Sequence, residues 1–511
     1  MAEEKLPHSK KILLITNIER GEANVFLAMS HALLQNYPHV ELHFATFKGF
    51  ETAVTSTWQH ARRTSPKANQ ITLHEIKGPP MANGVQHYYS SRKIPSKGGY
   101  PPNSFLAPPG LSNTTRAIHD TIPILVPYDG PQLVDIFTSI VEIINQVDAD
   151  LVVVNSLMTP ALTACYHLGI KFACLSPNAI KDFAAPSQPH GASLWKYPAL
   201  FSGFNYPVPW YLIPFNVFFV LYVANAYIKD GHRRDVAKHL AAHTGATLRT
   251  PVDLIRNPPP DVKILVSTLP ELDFPAVLPH HVIPCGPIIR NAPPISEADP
   301  NLEAWLSRLP TIYINLGSIC LVDEEGAAEL ALALKAVMEK VQQQAPTLGF
   351  QVLWKLKRHG EYKTVDTGCT IHEILGNEID ADLVRIVDWV LTEPITILES
   401  GNVVCSVHHG GANSYNEAVM AGIPQVVLPQ WTDCYDYAQR VEMLGIGRLG
   451  NRKAKPKWTA QELSRELSEV LLGKDSEAMK RKAMELADVC RRNGSGAANA
   501  ARILLAESYA V

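Results

Sequence analysis

The sequence lacks any excess of positive charge. Its 511 residues hold 46 Lys and Arg against 49 Asp and Glu, a formal net charge of −3, and they contain no basic run. Proteins that bind nucleic acids need a clustered positive surface, so this charge pattern excludes that class of function. The composition, 46% hydrophobic and 19% charged, is globular. The length exceeds what one core can hold, which predicts two or more domains.

Cysteines are few, and their spacing does not pair them. The eight cysteines are scattered and form no CxxC motif. This favours reduced thiols over a disulfide framework, and we therefore expect a cytoplasmic protein. The first residues, MAEEKLPHSKK, contain acids and lysines but no apolar core, so we expect no signal peptide. The last residues, ARILLAESYAV, predict a short amphipathic helix rather than a membrane anchor.

Metal-binding patterns are also missing. No DxD or HExxH pattern lies where a metal site would need it. The pairs His280–His281 and His408–His409 are adjacent, and adjacent histidines do not chelate one ion as an i, i+4 pair on a helix does. No repeat of about 20–50 residues is visible, which argues against solenoids and propellers. We expect neither a metal nor a resident cofactor.

The sequence does contain a regular alternation of apolar runs and amphipathic segments, which predicts an α/β protein. In the first half, strands are predicted at residues 11–18, 40–47, 71–76, 150–155, 172–176, 263–269 and 282–286, and helices at 25–35 and 133–146. Between residues 78 and 109 the sequence is dense in Pro, Gly and Ser. This predicts a long irregular excursion, a feature that often carries binding loops.

A proline-rich segment divides the chain. Residues 287–300, PIIRNAPPISEADP, have no helical or strand period, so we interpret them as an interdomain linker. A second α/β alternation follows, with strands predicted at 311–316, 351–356 and 384–390. The predicted organisation is a first domain at 1–286, the linker at 287–300, a second domain at 301–492 and a terminal helix at 493–511.

The stretch Val403–Pro429, VVCSVHHGGANSYNEAVMAGIPQVVLP, carries the clearest chemistry. It predicts a buried strand, a turn with two glycines, a helix capped by Asn413 and Ser414, and a second strand. The helix start offers free N–H groups and the positive end of a dipole, and glycine lets an anion approach the backbone. A diphosphate is the expected ligand, with His409 beside it. The Glu417 carboxylate suits paired sugar hydroxyls, and the combination predicts a nucleotide sugar.

The sequence HGGANS followed by Glu417 resembles the donor-binding signature of the family 1 UDP-glycosyltransferases. The resemblance is specific from Trp389 to Gly447 and looser over most of the chain. It implies the GT-B fold, in which two Rossmann-like, doubly wound α/β domains face each other across a cleft. It also implies that His409 contacts the diphosphate, that Glu417 holds the ribose hydroxyls and that Trp389 stacks on the uracil.

The resemblance implies further donor contacts. Ser318 follows a predicted strand on a glycine turn, where the family places a phosphate contact, although a helix cap explains it equally well. Asp433 matches an aspartate that binds sugar hydroxyls. The remaining donor residues implied by the resemblance are Val390, Gly411, Asn413, Ser414 and Cys434. The terminal helix is expected to cross back onto the first domain.

The sequence departs from the family pattern at two donor positions. Thr392 replaces a glutamine that follows the family's tryptophan, and Cys434 replaces the glutamine of an Asp–Gln pair. Asp433 still offers an acceptor for two hydroxyl groups. Without the amide beside it, the identity of the sugar stays open, with glucose as the default.

The catalytic positions depart further. Where the family has a histidine base after the first strand and an aspartate that orients it, this chain has Glu22 and Asn155. A carboxylate acts as a general base when an apolar pocket raises its pKa, and the Asn155 amide can orient it. The alternative is that Glu22 has no catalytic role and only stabilises the N-terminus of a helix, where acidic residues are favoured. His87 and the pair His119–Asp120 are rival bases.

One long hydrophobic stretch, Pro207–Tyr227, needs an interpretation of its own. Pro209 and Pro214 interrupt it and leave roughly fourteen clean residues, fewer than the ~20 that a bilayer requires. A membrane span is therefore disfavoured. The other interpretations are a core helix, a helix of an acceptor pocket, and an exposed patch that rests on a membrane surface.

Together with the resemblance, these residues predict an inverting, metal-independent glycosyltransferase. It would move a hexose from a UDP-sugar to a hydroxyl of a lipophilic small molecule such as a secondary metabolite, sterol or glycolipid. The segments ERGEANV and DCYDYA resemble those of fungal members. Two alternatives stay open: a nucleotide-sugar epimerase or hydrolase of the same fold, and a non-catalytic UDP-sugar-binding protein, which the missing His–Asp pair supports. The oligomeric state is left open.

Overall fold

The computed structural model describes residues 9–96, 101–344 and 349–510. Within them the chain builds two parallel β-sheets, one in each half, which confirms the predicted pair of doubly wound α/β domains. The prediction that the first residues form no signal peptide concerns mainly residues 1–8, which lie outside the described residues.

The first sheet has the strand order β3-β2-β1-β4-β5-β6-β7, and every neighbouring pair is parallel. Its strands are β1 (Lys11–Ile15), β2 (Glu41–Thr46), β3 (Thr72–Glu75), β4 (Leu151–Asn155), β5 (Phe172–Ser176), β6 (Lys263–Val266) and β7 (Val282–Pro284). The helices of this half are α1 (Arg20–Asn36), α2 (Glu51–Thr64), α3 (Met81–Ser91), α4 (Leu111–Thr121), α5 (Gly130–Val147), α6 (Thr159–Leu168), α7 (Ile180–Ala184), α8 (Ala192–Trp195), α9 (Ile213–Lys229), α10 (Gly231–Thr244) and α11 (Pro251–Arg256).

The second sheet has the order β10-β9-β8-β11-β12-β13, again with parallel neighbours. Its strands are β8 (Thr311–Asn315), β9 (Gln351–Lys355), β10 (Val384–Val387), β11 (Val403–His408), β12 (Gln425–Val427) and β13 (Gly447–Leu449). The remaining helices are α12 (Ile295–Ala298), α13 (Pro300–Leu306), α14 (Glu324–Gln344), α15 (Thr370–Asp380), α16 (Pro394–Leu398), α17 (Ala412–Ala421), α18 (Cys434–Met443), α19 (Ala460–Leu472), α20 (Ser476–Asn493) and α21 (Gly496–Tyr509).

The strand order reverses beside β1 in the first sheet and beside β8 in the second. β1 pairs with β2 on one side and with β4 on the other, while β8 pairs with β9 and β11. In open α/β sheets, ligands bind at the carboxyl ends of strands where the order reverses. Glu22 and Asn155 lie at this point of the first sheet, and Ser318 and His409 lie at the corresponding point of the second.

Each strand of the first sheet sends apolar side chains into two cores. Along β1, Leu13 packs in one core and Leu14 in the other, and neither side chain is exposed. The terminal helix α21 adds Ala500 and Leu504 to the core that holds Leu14. The end of the chain therefore packs on the first sheet although it follows the second in sequence.

Several predicted boundaries differ from the structure. α1 begins at Arg20, earlier than the predicted residue 25, so Glu22 lies in the first helical turn rather than in the preceding loop.

The predicted irregular excursion at 78–109 contains helix α3, which buries Val85, Tyr88 and Tyr89 at helical spacing. Residues 97–100 of the excursion lie outside the described range. β10 ends at Val387, so the tryptophan expected at its end lies in the following loop. The short helix α12 lies within the predicted linker.

A buried ion pair joins the two halves. Arg440 Nε of α18 donates to Asp273 Oδ1 of the first half at 2.7 Å, and neither residue is more than 2% exposed. The guanidinium also lies 4.6 Å from the ring centroids of Phe274 and Tyr437. Separating the pair would leave an uncompensated buried charge, which is strongly unfavourable. This contact holds the halves together beside the cleft.

Helix α9 lies on the surface. Only Asn216 and Phe219 of its residues are buried, so the interpretation as a plain core helix is wrong. Among the described residues, Trp210–Thr244 is the one helical stretch long and apolar enough to cross a membrane, and little of its apolar part is buried inside the protein. Length and composition alone are weak evidence for a span.

Candidate active site

A cavity of about 360 Å³ lies between the two halves, bounded by the loops after β8, β10 and β11 and by the start of α1. The structure brings the predicted residues together there. Those that line the cavity are Glu22, Ser318, Trp389, Val390, His409, Gly411, Asn413, Ser414, Glu417, Asp433 and Cys434. Asn155, the remaining predicted residue, donates a hydrogen bond to Glu22.

The two adjacent histidines differ in their partners. His408 accepts the Gly410 N–H at Nδ1 (3.1 Å), so its Nε2–H donates to Gln425 Oε1 at 2.8 Å, and both nitrogens are satisfied within the protein. His409 Nδ1 is buried and has no partner among the described residues. Desolvation, with His408 and Lys355 nearby, lowers the pKa of His409 to about 3. The ring is therefore neutral, and it can offer a ligand a hydrogen bond.

Glycine turns hold the His409 ring from two sides. A Cβ at Gly317 would lie 2.6 Å from its Cε1, and a Cβ at Gly411 would lie 2.5 Å from its Nε2. Gly317 also has φ +86°, which glycine adopts without steric cost. The turns after β8 and β11 thus fix the position of the ring in the cavity wall.

The start of α17 offers an anion site. Gly411 is its N-cap residue, and no side chain caps it. The first helical hydrogen bond runs from Tyr415 N to Gly411 O at 3.0 Å, which leaves the preceding N–H groups of the turn for a ligand. Asn413 and Ser414, predicted as caps, lie instead in this first turn. The Asn413 amide reaches the carbonyls at the start of α1, at 3.4 Å.

Ser318 lies on the facing turn of the cavity. Helix α14 starts only at Glu324, so the alternative that Ser318 caps a helix is wrong. Its carbonyl accepts a hydrogen bond from Lys357 Nζ at 2.6 Å, which ties the turn to the segment after β9. Ser318 lines the cavity together with His409 and is a candidate phosphate contact.

Glu417 is a buried carboxyl group, 8% exposed. Burial, and after it the nearby Glu393, raise its pKa to about 8 against the opposing effect of Arg290 and Lys355. Arg290 comes from the linker segment and pairs with Glu393, another residue of the cavity lining. The linker therefore contributes to the electrostatics of the donor side.

Sequence reasoning missed Lys355, the last residue of β9. Its Nζ donates to Gly317 O at 3.2 Å and Asn315 Oδ1 at 3.3 Å, and it lies 4.0 Å from the ring centroid of Trp389. Burial lowers the pKa of Lys355 to about 8. A lysine at the carboxyl end of a buried strand beside β8 is the signal that points to it. It supplies positive charge where an anionic donor is expected.

Asp433 and Cys434 line the cavity, and Asp433 is near enough to Glu22 to affect its pKa. Thr432 Oγ1 donates to Asp433 Oδ1 at 2.7 Å, and Thr432 itself has φ +35°, a strained value for a β-branched residue. Burial raises the pKa of Asp433. Cys434 is 1% exposed, and burial raises the pKa of its thiol well above the usual range, so it lines the site as a neutral group.

Glu22 and Asn155 make the predicted contact. Asn155 Nδ2 donates to Glu22 Oε2 at 2.9 Å, and Asn155 Oδ1 accepts from Leu157 N at 2.8 Å, which fixes the amide's orientation. Desolvation raises the pKa of Glu22 to about 7, Asp433 adds to the rise, and the hydrogen bond opposes it. Glu51, the exposed acid at the start of α2, shows the opposite shift: hydrogen bonds from the Gly49 and Glu51 N–H groups lower its pKa.

The rival bases lie elsewhere. His87 is exposed on α3, and neither it nor the pair His119–Asp120 lines the cavity. His119 Nδ1 lies 3.5 Å from Asp120 Oδ1 on α4. Among the described residues no group of three or more His, Cys, Asp or Glu side chains could hold a metal ion.

A second cavity, of about 480 Å³, adjoins the first. Both are lined by Ile319 and Trp431. The second cavity adds Leu106 from the first half with Leu321 and Trp458 from the second, so both halves contribute apolar walls.

Comparison with known proteins identifies the family. Residues 372–493 match the family described as "Erythromycin biosynthesis protein CIII-like, C-terminal domain". Over 453 residues, 87% of this chain and 85% of that protein, the chain is 33% identical to the glycosyltransferase sdnJ of Sordaria araneosa. The chain belongs to the family 1 UDP-glycosyltransferases. This glycosyltransferase is therefore an enzyme, and the predicted UDP-sugar donor is supported.

Solved structures give the fold of the glycosyltransferase. A UDP-glucosyltransferase from Polygonum tinctorium, solved with 3,4-dichloroaniline, superposes with a TM-score of 0.62 at 14% identity, covering 98% of this chain and 99% of that one. The glycotransferase of kitacinnamycin superposes with a TM-score of 0.60 at 16% identity, covering 98% and 100%. These likenesses confirm the GT-B fold predicted for the glycosyltransferase.

Proposed function

We propose that the enzyme transfers a hexose, by default glucose, from a UDP-sugar to a hydroxyl of a lipophilic small molecule, with inversion and without a metal. One observation carries this proposal. The Glu22 carboxyl group, held by Asn155 at 2.9 Å with a pKa of about 7, shares a cavity with His409 and the start of α17. A base and an anion-binding helix start thus face one space.

In the proposed reaction, Glu22 takes the proton of the acceptor hydroxyl. The acceptor oxygen forms a bond to the anomeric carbon from the side opposite the diphosphate. The bond from that carbon to the diphosphate oxygen breaks, and its electron pair leaves on UDP. A pKa near 7 suits a base at neutral pH, because about half of the groups are ionised there and the carboxylate accepts a proton more readily than an ordinary one.

The leaving diphosphate gains charge as the bond breaks. His409, the free N–H groups at the start of α17 and the Lys355 ammonium are the groups that would stabilise it. Preorganised donors of this kind contribute most in a dry site. Glu417 would accept hydrogen bonds from the ribose, Trp389 would stack on the base, and the sugar would lie between this side and Glu22.

The second cavity supports a lipophilic acceptor. Its apolar wall begins at Trp431 and Ile319, which also line the donor cavity, so an acceptor held there can direct a hydroxyl toward Glu22. Burial of apolar surface would then supply the binding energy. The identity of the molecule is not specified by these contacts.

Mass spectrometry of products from a panel of hydroxylated acceptors with several UDP-sugars tests the proposal. We expect a hexosyl adduct whose anomeric configuration, read by NMR, is opposite to that of the donor. Free sugar formed at the same rate without an acceptor would identify a hydrolase, and an epimerised donor would identify an epimerase. UDP binding without turnover of any donor would identify a binding protein.

Chelation tests the metal-independent part separately. Activity should survive EDTA, because helix N–H groups and side chains take the role that a divalent cation would have. Loss of activity in EDTA that Mg²⁺ or Mn²⁺ restores would overturn this part and leave the transfer itself intact.

A further inference from the structure

The outer face of α9 carries an unpartnered apolar stripe. Its exposed large side chains recur at helical spacing, and Trp210, 82% exposed, and Tyr211 stand just before the helix. The stripe consists of Tyr211, Phe215, Phe218, Leu221 and Ile228. Isolated exposed apolar residues are ordinary, but a continuous stripe on one helix marks an interaction surface.

The opposite face fixes α9 to the protein. Asn216 is fully buried; its Oδ1 accepts from Ala199 N at 2.8 Å, and its Nδ2 donates to Leu194 O and Tyr197 O, each at 2.9 Å. Phe219 is buried beside it. The helix is therefore anchored with its stripe outward. Its 17 residues span about 25 Å against a hydrocarbon core of ~30 Å, and one face is held by the protein, so α9 fits a position on the bilayer surface better than a span across it.

Positive charge is concentrated at one end of the stripe. From the end of α9 into α10, four basic residues stand against two acidic ones: Lys229, Arg233, Arg234 and Lys238 against Asp230 and Asp235. Asp230 is committed to capping α10, since it accepts from Arg233 N at 3.0 Å. The chain as a whole has a net charge of −3, so this surplus is local.

We propose that α9 docks on an anionic lipid surface. Its apolar stripe enters the boundary between headgroups and acyl chains, Trp210 and Tyr211 sit at headgroup level, and Lys229 and Lys238 meet the acidic headgroups. An apolar face beside basic side chains matches such a surface in both respects. A second copy of the chain would bring the same positive surplus into the interface, and like charges repel.

This position relates to the reaction. Beneath α9, Phe219 packs in a cluster with Phe105 and Phe201, and Trp431, which lines both cavities, packs against that cluster. Docking through α9 would thus hold the two cavities close to the surface in which a lipophilic acceptor dissolves. This consequence rests on the proposed function, whereas docking itself does not.

Vesicle flotation tests docking without any sugar transfer. The full chain is mixed with vesicles of phosphatidylcholine alone or of phosphatidylcholine with phosphatidylserine. We expect it to float with the anionic vesicles and to do so less as salt is raised, because screening weakens the headgroup contacts. A chain that stays with the soluble fraction in both cases, at low salt, overturns the proposal.

Two variants separate the apolar and the charged contributions. Phe218→Ser with Leu221→Ser should lower the vesicle partition coefficient by roughly tenfold or more, because two large side chains lose their burial in lipid. Its matched control is Leu332→Ser with Met484→Ser, which removes two comparably exposed apolar residues elsewhere. Lys229→Glu with Lys238→Glu should abolish the preference for anionic vesicles, and the control Lys474→Glu with Lys480→Glu should not.

Two further outcomes would also overturn the docking proposal. Equal loss of flotation in the test and control pairs would show nonspecific adsorption and overturn the proposal. So would a wild-type chain that dimerises in light scattering and becomes monomeric in the Phe218→Ser, Leu221→Ser variant without ever binding vesicles. Turnover of a water-soluble acceptor should be unchanged in all these variants, which verifies that they fold.

Discussion

The two sides of the active-site cavity are built differently. On the donor side, the chain from Trp389 to Asp433 supplies most of the wall, with the turn at Gly317 and Ser318 facing it. On the acceptor side, Glu22 and Asn155 come from separate strand ends, and the adjoining apolar cavity combines residues 101–107 with residues 319–329 and 454–459. One wall is local in sequence, and the other is assembled from distant segments.

The two sides also differ in their charge. The donor side holds a neutral histidine, a buried lysine and a buried glutamate, and these groups lack mutual hydrogen bonds that a ligand would have to break. The acceptor side holds a carboxyl group that already has an amide partner. In the proposed reaction, the donor side would hold the UDP-sugar through these groups, while the acceptor side would present one oriented carboxyl group to the acceptor hydroxyl.

The largest expected effect belongs to the acceptor side. Glu22→Gln should lower kcat by ~10²–10⁴-fold with an aliphatic alcohol acceptor, because the general base is lost, while UDP affinity stays the same. Glu51→Gln is the matched control, since Glu51 also lies in the first turn of a helix that follows a strand of the first sheet. Steady-state kinetics and calorimetry measure both quantities. Similar kcat values for the two variants would mean that Glu22 serves only its helix.

The next effect belongs to the donor side. His409→Ala should weaken UDP binding by ~10- to 100-fold, because a hydrogen bond to a charged group contributes roughly 1.5–3 kcal/mol. His281→Ala is the control, since both ring nitrogens of His281 also lack partners but the residue lies outside the cavity. Calorimetric titration with UDP gives the comparison. Equal affinities for the two variants would remove His409 from the donor site.

A pH profile tests the coupling between the two sides. In the wild type, kcat/KM should rise with pH and level off above about 7, because Glu22 must be ionised to accept a proton. Asp433 raises the pKa of Glu22, so Asp433→Asn should move this rising limb to lower pH. Glu22→Gln should abolish the limb. A limb that stays in place in both variants would assign it to another group.

The smallest effect concerns stability. Burial raises the folded-state pKa of Glu417 to about 8, above the ordinary glutamate value of 4.5, so the fold favours the protonated carboxyl group. This contribution is fully present below pH 4.5 and is lost as pH rises through 8. Glu417→Gln should therefore melt a few degrees higher than the wild type above pH 8 in the absence of ligand, and at the same temperature near pH 4. Calorimetric melting curves measure the difference, and a lower melting temperature at high pH would contradict it.

The donor side of the cavity is the part of the site that the sequence predicts well. The run from Val403 to Pro429 contains its strand, glycine turn, helix and carboxylate in one segment, so their proximity follows from chain connectivity. Lys355 was not predicted because its only sequence signal, a lysine at the end of an apolar strand, does not by itself distinguish a site residue from a solvated one. Its role depends on contacts with Gly317 and Trp389, which lie on other strands.

The acceptor side of the cavity, which is built from distant segments, is harder to predict from the sequence. Glu22 and Asn155 were paired through a family pattern, and nothing in their spacing of more than a hundred residues predicts a contact. Helix α3 was missed because prolines and glycines surround it, although Val85, Tyr88 and Tyr89 have helical spacing. Loop walls such as 454–459 carry no periodic signal, since their positions depend on packing rather than on a repeat.

The path of α21 has a consequence for recombination between relatives. Because Ala500 and Leu504 complete the core of the first sheet, the last helix belongs structurally with residues 9–286. A chimera that takes the acceptor half from another member of the family therefore needs two crossover points, one in the linker and one between α20 and α21. The donor parent must also match the ion pair of Arg440 and Asp273, since each partner would come from a different gene segment.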